Sequence, residues 1–121
     1  MKKLAFTLCA IAISLYMTGD IYGAEKLKLR ITAYTPAECG YITASGDRVS
    51  KGICAISRDV EKNLGVRFGN KFYIHGVGVF NFKDRTSKEL KRTIDIFFWT
   101  QKEAKKFGVK ECWVTFTKDW E

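Results

Sequence analysis

Short segments with alternating apolar and polar residues, the period of a half-buried β-strand, recur along the chain. Alternation predicts strands in "LKLRITAY" at 27–34 and "VKECWVTFT" at 109–117. The short apolar segment "GICAI" at 52–56 and the segment "RTIDIFF" at 92–98 are predicted as two further strands. A longer β region covers 71–83, and Gly76 and Gly78 within it are typical of bends where a small barrel curves. Short strands separated by glycine-rich corners predict a compact β-barrel.

Two short helices are predicted between the strands. Ser57 can cap the segment "RDVEKNL", and Gly65 would end that helix. Thr100 and Glu103 have the spacing of a capping box for "QKEAKKF", and Gly108 would end this second helix. The predicted fold is therefore mostly β, with one or two short helices.

The N-terminal residues have the order of a secretory signal peptide. Two lysines precede an apolar run at 4–17, and small residues follow up to Ala24. The run is shorter than the roughly 20 residues of a membrane span, which favours cleavage over an uncleaved anchor. We expect 1–24 to be a signal peptide and 25–121 to be one domain, periplasmic or secreted.

The net charge of the chain is +8 at pH 7. A charge of this size indicates an anionic surface nearby, such as a cell-wall polymer, but does not choose among polyanions. Three cysteines, Cys39, Cys54 and Cys112, lie in the predicted domain. Export permits a Cys39–Cys54 disulfide, and three buried thiols are the alternative. A single histidine and no CxxC pair argue against structural zinc, so no metal or cofactor is expected.

The acidic residues are the remaining candidates for chemistry, chiefly Asp59, Asp84 and Asp95. Asp95 is the strongest candidate for a catalytic residue, because it interrupts the apolar run of its strand. In a partly apolar groove, desolvation would raise its pKa, as a general acid near neutral pH requires. Alternatively it is a structural carboxylate that accepts backbone hydrogen bonds or pairs with Arg85 or Arg92. Both interpretations remain open from the residues alone.

Several motifs occur in the order expected of the three-aspartate, or 3D, domain. They are "ITAYTP", "CGYITASG", "GICAIS", "IHGVGVFNFKD", "RTIDIFF" and "EAKKFGVKECWV". From about Arg30 to Thr117 the chain resembles this domain, which is similar to the catalytic barrel of MltA-type lytic transglycosylases and stationary-phase survival wall enzymes. The resemblance implies a six-stranded double-psi β-barrel that cleaves the glycan strands of peptidoglycan.

The resemblance also implies roles for particular residues. Asp95 would be the catalytic acid and base, and Asp84 would support or orient it. The residues that would line the groove are Thr32, Tyr34, Thr43, Ser45 and Gly46. Peptidoglycan is the implied partner of a monomeric protein, and no nucleic acid is expected.

The chain departs from the family pattern at its first aspartate. That position reads Ala55-Ile56-Ser57, and Asp59, a possible third acid, comes two residues later. A non-catalytic wall-binding module on the same barrel is therefore the alternative function, and a structural or inhibitory protein is a third.

Exposed aromatic rings could provide stacking platforms for sugars. Tyr34, Tyr41 and Trp99 are the candidates near the groove segments. Trp113 lies in an alternating strand and is expected in the core, whereas Trp120 fits either role.

Overall fold

Six strands and three short helices make up the computed structural model, which describes residues 26–118. The strands are β1 (Leu27–Tyr34), β2 (Ile53–Ile56), β3 (Lys71–Ile74), β4 (Gly78–Arg85), β5 (Thr93–Phe97) and β6 (Lys110–Phe116). The helices are α1 (Pro36–Cys39), α2 (Arg58–Leu64) and α3 (Gln101–Phe107). The predicted mostly-β fold is confirmed, with α1 as an additional single turn. The predicted signal peptide, 1–24, lies outside the described residues.

The strands close into a barrel in the order β1-β5-β2-β4-β3-β6. β1 runs parallel to β5 and β2 parallel to β4, while the other neighbouring pairs are antiparallel. Both parallel pairs join strands that are distant in sequence, in keeping with the double-psi barrel. Closure pairs the strand edges with one another, so the barrel leaves no open sheet edge.

Alternation along each strand sends one set of side chains into the barrel interior. The most deeply buried of these are Leu29, Ile31, Cys54, Ile56, Phe72, Ile74, Phe82, Ile94, Ile96 and Val114. Burying each large apolar side chain contributes roughly 1.5–3 kcal/mol. On β5, Ile94 and Ile96 point inward, so Asp95 between them points to the opposite face.

A second, smaller apolar cluster lies on that opposite face of β1, β2 and β5. It consists of Tyr34, Val49, Ile53, Ala55 and Phe97. Val49 comes from the segment between α1 and β2, so this segment covers the face from which Asp95 projects. The site is therefore a covered surface outside the main core.

The helix ends only partly follow the predicted caps. Thr100 Oγ1 accepts a hydrogen bond from Glu103 N at 3.1 Å, as predicted, and Gly65 ends α2 with φ 68°. Ser57 is the N-cap residue of α2, but it makes no side-chain cap to that helix. Its hydroxyl accepts instead from Thr93 N at 3.0 Å, which ties α2 to β5. None of the helices within residues 26–118 is long and apolar enough to cross a membrane.

Candidate active site

Asp95 lies beside Thr32, because β5 and β1 pair in parallel with these two residues in register. Thr32 Oγ1 donates to Asp95 Oδ1 at 2.7 Å. No other described residue donates a hydrogen bond to this carboxylate, so Oδ2 is free. Burial, together with the negative charges of Glu38 and Asp84, raises the pKa of Asp95 to about 6, against the opposing effect of the Thr32 hydrogen bond. This carboxyl group can therefore exchange a proton near neutral pH.

Neither of the two arginines proposed as structural partners pairs with Asp95. Arg85 forms a bidentate pair with Glu61, at 2.7 and 2.9 Å. The guanidinium of Arg92 donates to the carbonyl of Lys28 at 2.6 Å. Among residues 26–118, Asp95 has no cationic partner, so the arginine-paired interpretation is wrong.

Asp84, near the end of β4, is buried with 8% of its surface exposed and has three hydrogen-bond donors. Its Oδ1 accepts from Ala44 N and from Arg85 N, each at 2.9 Å. Its Oδ2 accepts from the hydroxyl of Tyr34 at 3.2 Å. Burial and the charge of Asp84 raise the pKa of Tyr34, which keeps the phenol protonated as a donor. Asp84 thus holds β1 and the loop after α1 together.

The predicted groove residues of the "TASG" segment form a tight loop on top of Asp84. The hydroxyls of Thr43 and Ser45 lie 2.8 Å apart, and Thr43 Oγ1 also donates to the carbonyl of Asp47 at 3.0 Å. Ser45 N donates to the carbonyl of Lys83 at 3.1 Å, which fixes the loop to β4. Gly46 has φ 95°, a conformation that favours glycine. These residues shape the loop, and the buried hydroxyl of Thr43 is used within it.

Asp59 lies in the first turn of α2, apart from the other two aspartates, and contacts the residue before β5. Its carboxylate accepts from Arg92 N at 3.1 and 3.3 Å and so supports the left-handed backbone of Arg92, at φ 50°. Burial tends to raise the pKa of Asp59, but hydrogen bonds from Ser57 and from backbone amides lower it overall. Asp95 comes three residues after Arg92, which is about 10 Å along an extended chain. Asp84 and Asp95 are close enough to interact electrostatically, whereas Asp59 lies elsewhere.

Helix α1 contributes Glu38, which the sequence interpretation overlooked, and Cys39, which it considered only for a disulfide. Glu38 belongs to a capping box with Thr35, and its charge acts on Asp95. Cys39 is exposed, yet partial desolvation of its thiol and the charges of Asp84, Glu38 and Asp95 raise the pKa of that thiol. The spacing of Thr35 and Glu38 directly after β1 was the available sequence signal.

The cysteine predictions are wrong in both forms. The three cysteines in the described part of the chain are free, so there is no Cys39–Cys54 bridge. Of the three, only Cys54 is buried, because it lies on the inward face of β2 while Cys39 lies on an exposed turn.

The aromatic candidates divide between core and surface. Tyr34 is buried and donates a hydrogen bond to Asp84, whereas Tyr41 and Trp99 expose about half of their surface. The prediction that Trp113 is in the core is wrong, because it projects from the outer face of β6 with 49% exposed. The ammonium of Lys28 lies 5.7 Å from the centroid of its ring. Trp120 lies outside the described residues.

A scan of protein-family models finds no match to this chain, and a search of curated proteins also finds none. Within residues 26–118, no group of three or more His, Cys, Asp or Glu side chains is arranged to hold a metal ion.

The stability of the protein is expected to fall between about pH 4 and pH 6 because of Asp95. Its folded pKa of about 6 exceeds the ordinary 3.8, so the folded state retains a proton that the unfolded state releases. The stabilisation is present below pH 4 and lost as pH rises through 6, by at most about 3 kcal/mol. Urea unfolding of wild type and Asp95→Asn at several pH values isolates this contribution, and parallel pH profiles would contradict it.

Proposed function

We propose that this protein cleaves peptidoglycan glycan strands as a lytic transglycosylase of the three-aspartate type. The observation that carries the proposal is the environment of Asp95. Its carboxyl group is half-buried and has one oxygen hydrogen-bonded to Thr32. The other oxygen is free, with no cation paired to it among residues 26–118. Such a group is suited to giving and taking one proton near neutral pH.

The reaction needs only one acid–base group. Protonated Asp95 gives its proton to the oxygen that links N-acetylmuramic acid to N-acetylglucosamine, and the bond from that oxygen to the muramic C1 breaks. The resulting carboxylate takes the proton from the C6 hydroxyl of the same muramic sugar, whose oxygen bonds to C1. An anhydro ring forms, Asp95 regains its proton, and no water is consumed. Glycoside hydrolysis, in contrast, requires two carboxylates, one of them to activate water or attack the sugar.

Asp84 acts as a positioning residue in this proposal. Its three hydrogen bonds hold the Tyr34 hydroxyl and the loop that begins at Ala44. Its negative charge also raises the pKa of Asp95, which favours the protonated form at rest. The proposal therefore uses Asp84 for geometry and electrostatics, and Asp95 for proton transfer.

The export signal expected at 1–24 and the net charge of +8 support a role at the anionic cell wall. The retained pair Asp84 and Asp95 supports an enzyme over the alternative, a wall-binding module on the same barrel. Proteins of that second kind would need the surface of the site but no free acid.

Mass spectrometry of the material released from purified peptidoglycan tests the proposal. We expect anhydro-muropeptides as the products of the wild-type protein. Products with ordinary reducing ends, heavier by one water, would mean hydrolysis and would overturn the single-acid mechanism. If nothing is released but the protein sediments with the wall, the protein is the binding module instead.

A further inference from the structure

A cavity of about 520 Å³ opens at the end of the barrel where β5 leads into α3. Its volume lies within the roughly 300–1,000 Å³ of ligand pockets. The walls are mainly apolar and include Phe80 from β4, Phe98 and Trp99 after β5, and Phe107 from α3. Trp99 exposes 49% of its surface, so a ligand has a large ring to cover.

Phe97 lines the cavity and also lies near Asp84 and Asp95, which we call the acid pair. The ring of Phe97 contacts Tyr34 at a centroid distance of 5.7 Å and Trp99 at 4.9 Å. Tyr34 in turn donates to Asp84. Asp95 lies two residues before Phe97 on the same strand face, so the cavity lies next to the acid site along β5.

Two opposite charges lie at the rim of the cavity, Lys51 and Glu103. Lys51 is exposed and has no ion-pair partner among residues 26–118. Glu103 accepts a hydrogen bond from Thr100 on Oε1, at 3.3 Å, which leaves its other oxygen for a ligand. An apolar cavity with one free cation and one anion suits a short peptide that carries small apolar side chains, a carboxylate and an amine.

We propose that this cavity binds the stem peptide carried by the muramic sugar, an inference that rests on the proposed function. A peptide stem of peptidoglycan combines apolar alanine methyl groups with carboxylates and an amine. Its methyl groups would contact the aromatic walls, a carboxylate would pair with Lys51, and an amine with Glu103. A neutral sugar ring fits less well, because it would stack on Trp99 but leave Lys51 and Glu103 without an ionic partner.

The test uses the Asp95→Asn protein with its tryptophans labelled with nitrogen-15, titrated with a soluble stem tetrapeptide. Trp99→Phe assigns the indole signal of Trp99 by its disappearance. We expect the tetrapeptide to shift the Trp99 signal, while a peptide-free chitin tetrasaccharide leaves it unchanged. Lys51→Gln is expected to weaken peptide binding about two- to fivefold, the scale of a partly exposed ion pair. Lys88→Gln is the matched control, since Lys88 is also exposed but lies in the connector before β5, outside the cavity lining.

Three results would overturn the inference: no shift of Trp99 with the peptide, equal affinity of Lys51→Gln and Lys88→Gln, or a shift with the tetrasaccharide alone. The last result would make the cavity a sugar subsite. The remaining signals of each variant report whether it is folded. Because binding is read without cleavage, peptide binding by a protein that releases nothing from peptidoglycan would refute the proposed enzyme but keep the peptide site.

Discussion

Replacing Asp95 by asparagine is expected to reduce release of anhydro-muropeptides by about 10²- to 10⁴-fold, the usual contribution of a general acid–base group. Asparagine can still accept the hydrogen bond that Thr32 Oγ1 donates to Oδ1. It cannot transfer a proton, and it removes a half-buried carboxyl group, so the barrel should remain folded. Quantitative mass spectrometry of the products, together with urea unfolding of the same samples, measures both effects.

The matched control for this variant is Asp59→Ala. Asp59 contacts the backbone of Arg92 at the start of β5 and is not gathered with the acid pair. We expect most of the activity to survive its removal. An unchanged rate in Asp95→Asn would remove Asp95 from the mechanism. A loss confined to Asp59→Ala would mean that the displaced aspartate has replaced the missing first one.

Replacing Asp84 by alanine is expected to lower the free energy of unfolding by about 3 kcal/mol or more. The substitution leaves three donors without their acceptor: Ala44 N, Arg85 N and the Tyr34 hydroxyl. Hydrogen bonds to a charged group contribute about 1.5–3 kcal/mol each, and three that share one carboxylate are not additive. Asp84→Asn should cost much less, because the amide oxygen can still accept from both backbone amides and the amide nitrogen can donate to the hydroxyl oxygen of Tyr34.

Urea unfolding of the two Asp84 variants gives the stability difference, and hydrogen exchange at Ala44 N reports whether its loop is released. We expect faster exchange at Ala44 in the alanine variant, and a larger loss of activity than in Asp59→Ala. Equal stability of the alanine and asparagine variants, with unchanged exchange at Ala44, would show that the carboxylate does not hold the loop.

The barrel could be predicted because the alternation of apolar and polar residues can be seen in each short segment and shows which strand face must be buried. A residue such as Ile94 or Ile96 recurs with period two on one face, and only a closed or covered sheet can bury that face. The same pattern made Asp95 conspicuous, since it shares a strand with these apolar residues but points to the other side. Helix ends were also predictable at Gly65 and at Thr100, where one residue type decides the backbone conformation or the cap.

The details of the site depended on contacts between residues far apart in sequence. Thr32 and Asp95 are 63 residues apart, and their hydrogen bond exists because β1 and β5 pair in parallel. Trp113, in contrast, was misread locally, because the alternation of β6 places it on the face opposite the buried Val114 and Phe116. The distance between Cys39 and Cys54 could not be predicted either, because it depends on how the turn of α1 packs on the barrel.

The sequence by itself determined a mostly β barrel and the prominence of Asp95, because period-two burial and the cost of an apolar-flanked carboxylate are local. Only the tertiary structure decided which acids lie close together. Asp84 accepts hydrogen bonds from three donors, and Asp59 accepts from the backbone amide of Arg92. Asp95 accepts one hydrogen bond from the described residues, from Thr32 on Oδ1. The physical reason is that the pKa of a carboxyl group depends on its burial and on nearby charges and donors, which chain folding assembles from distant segments.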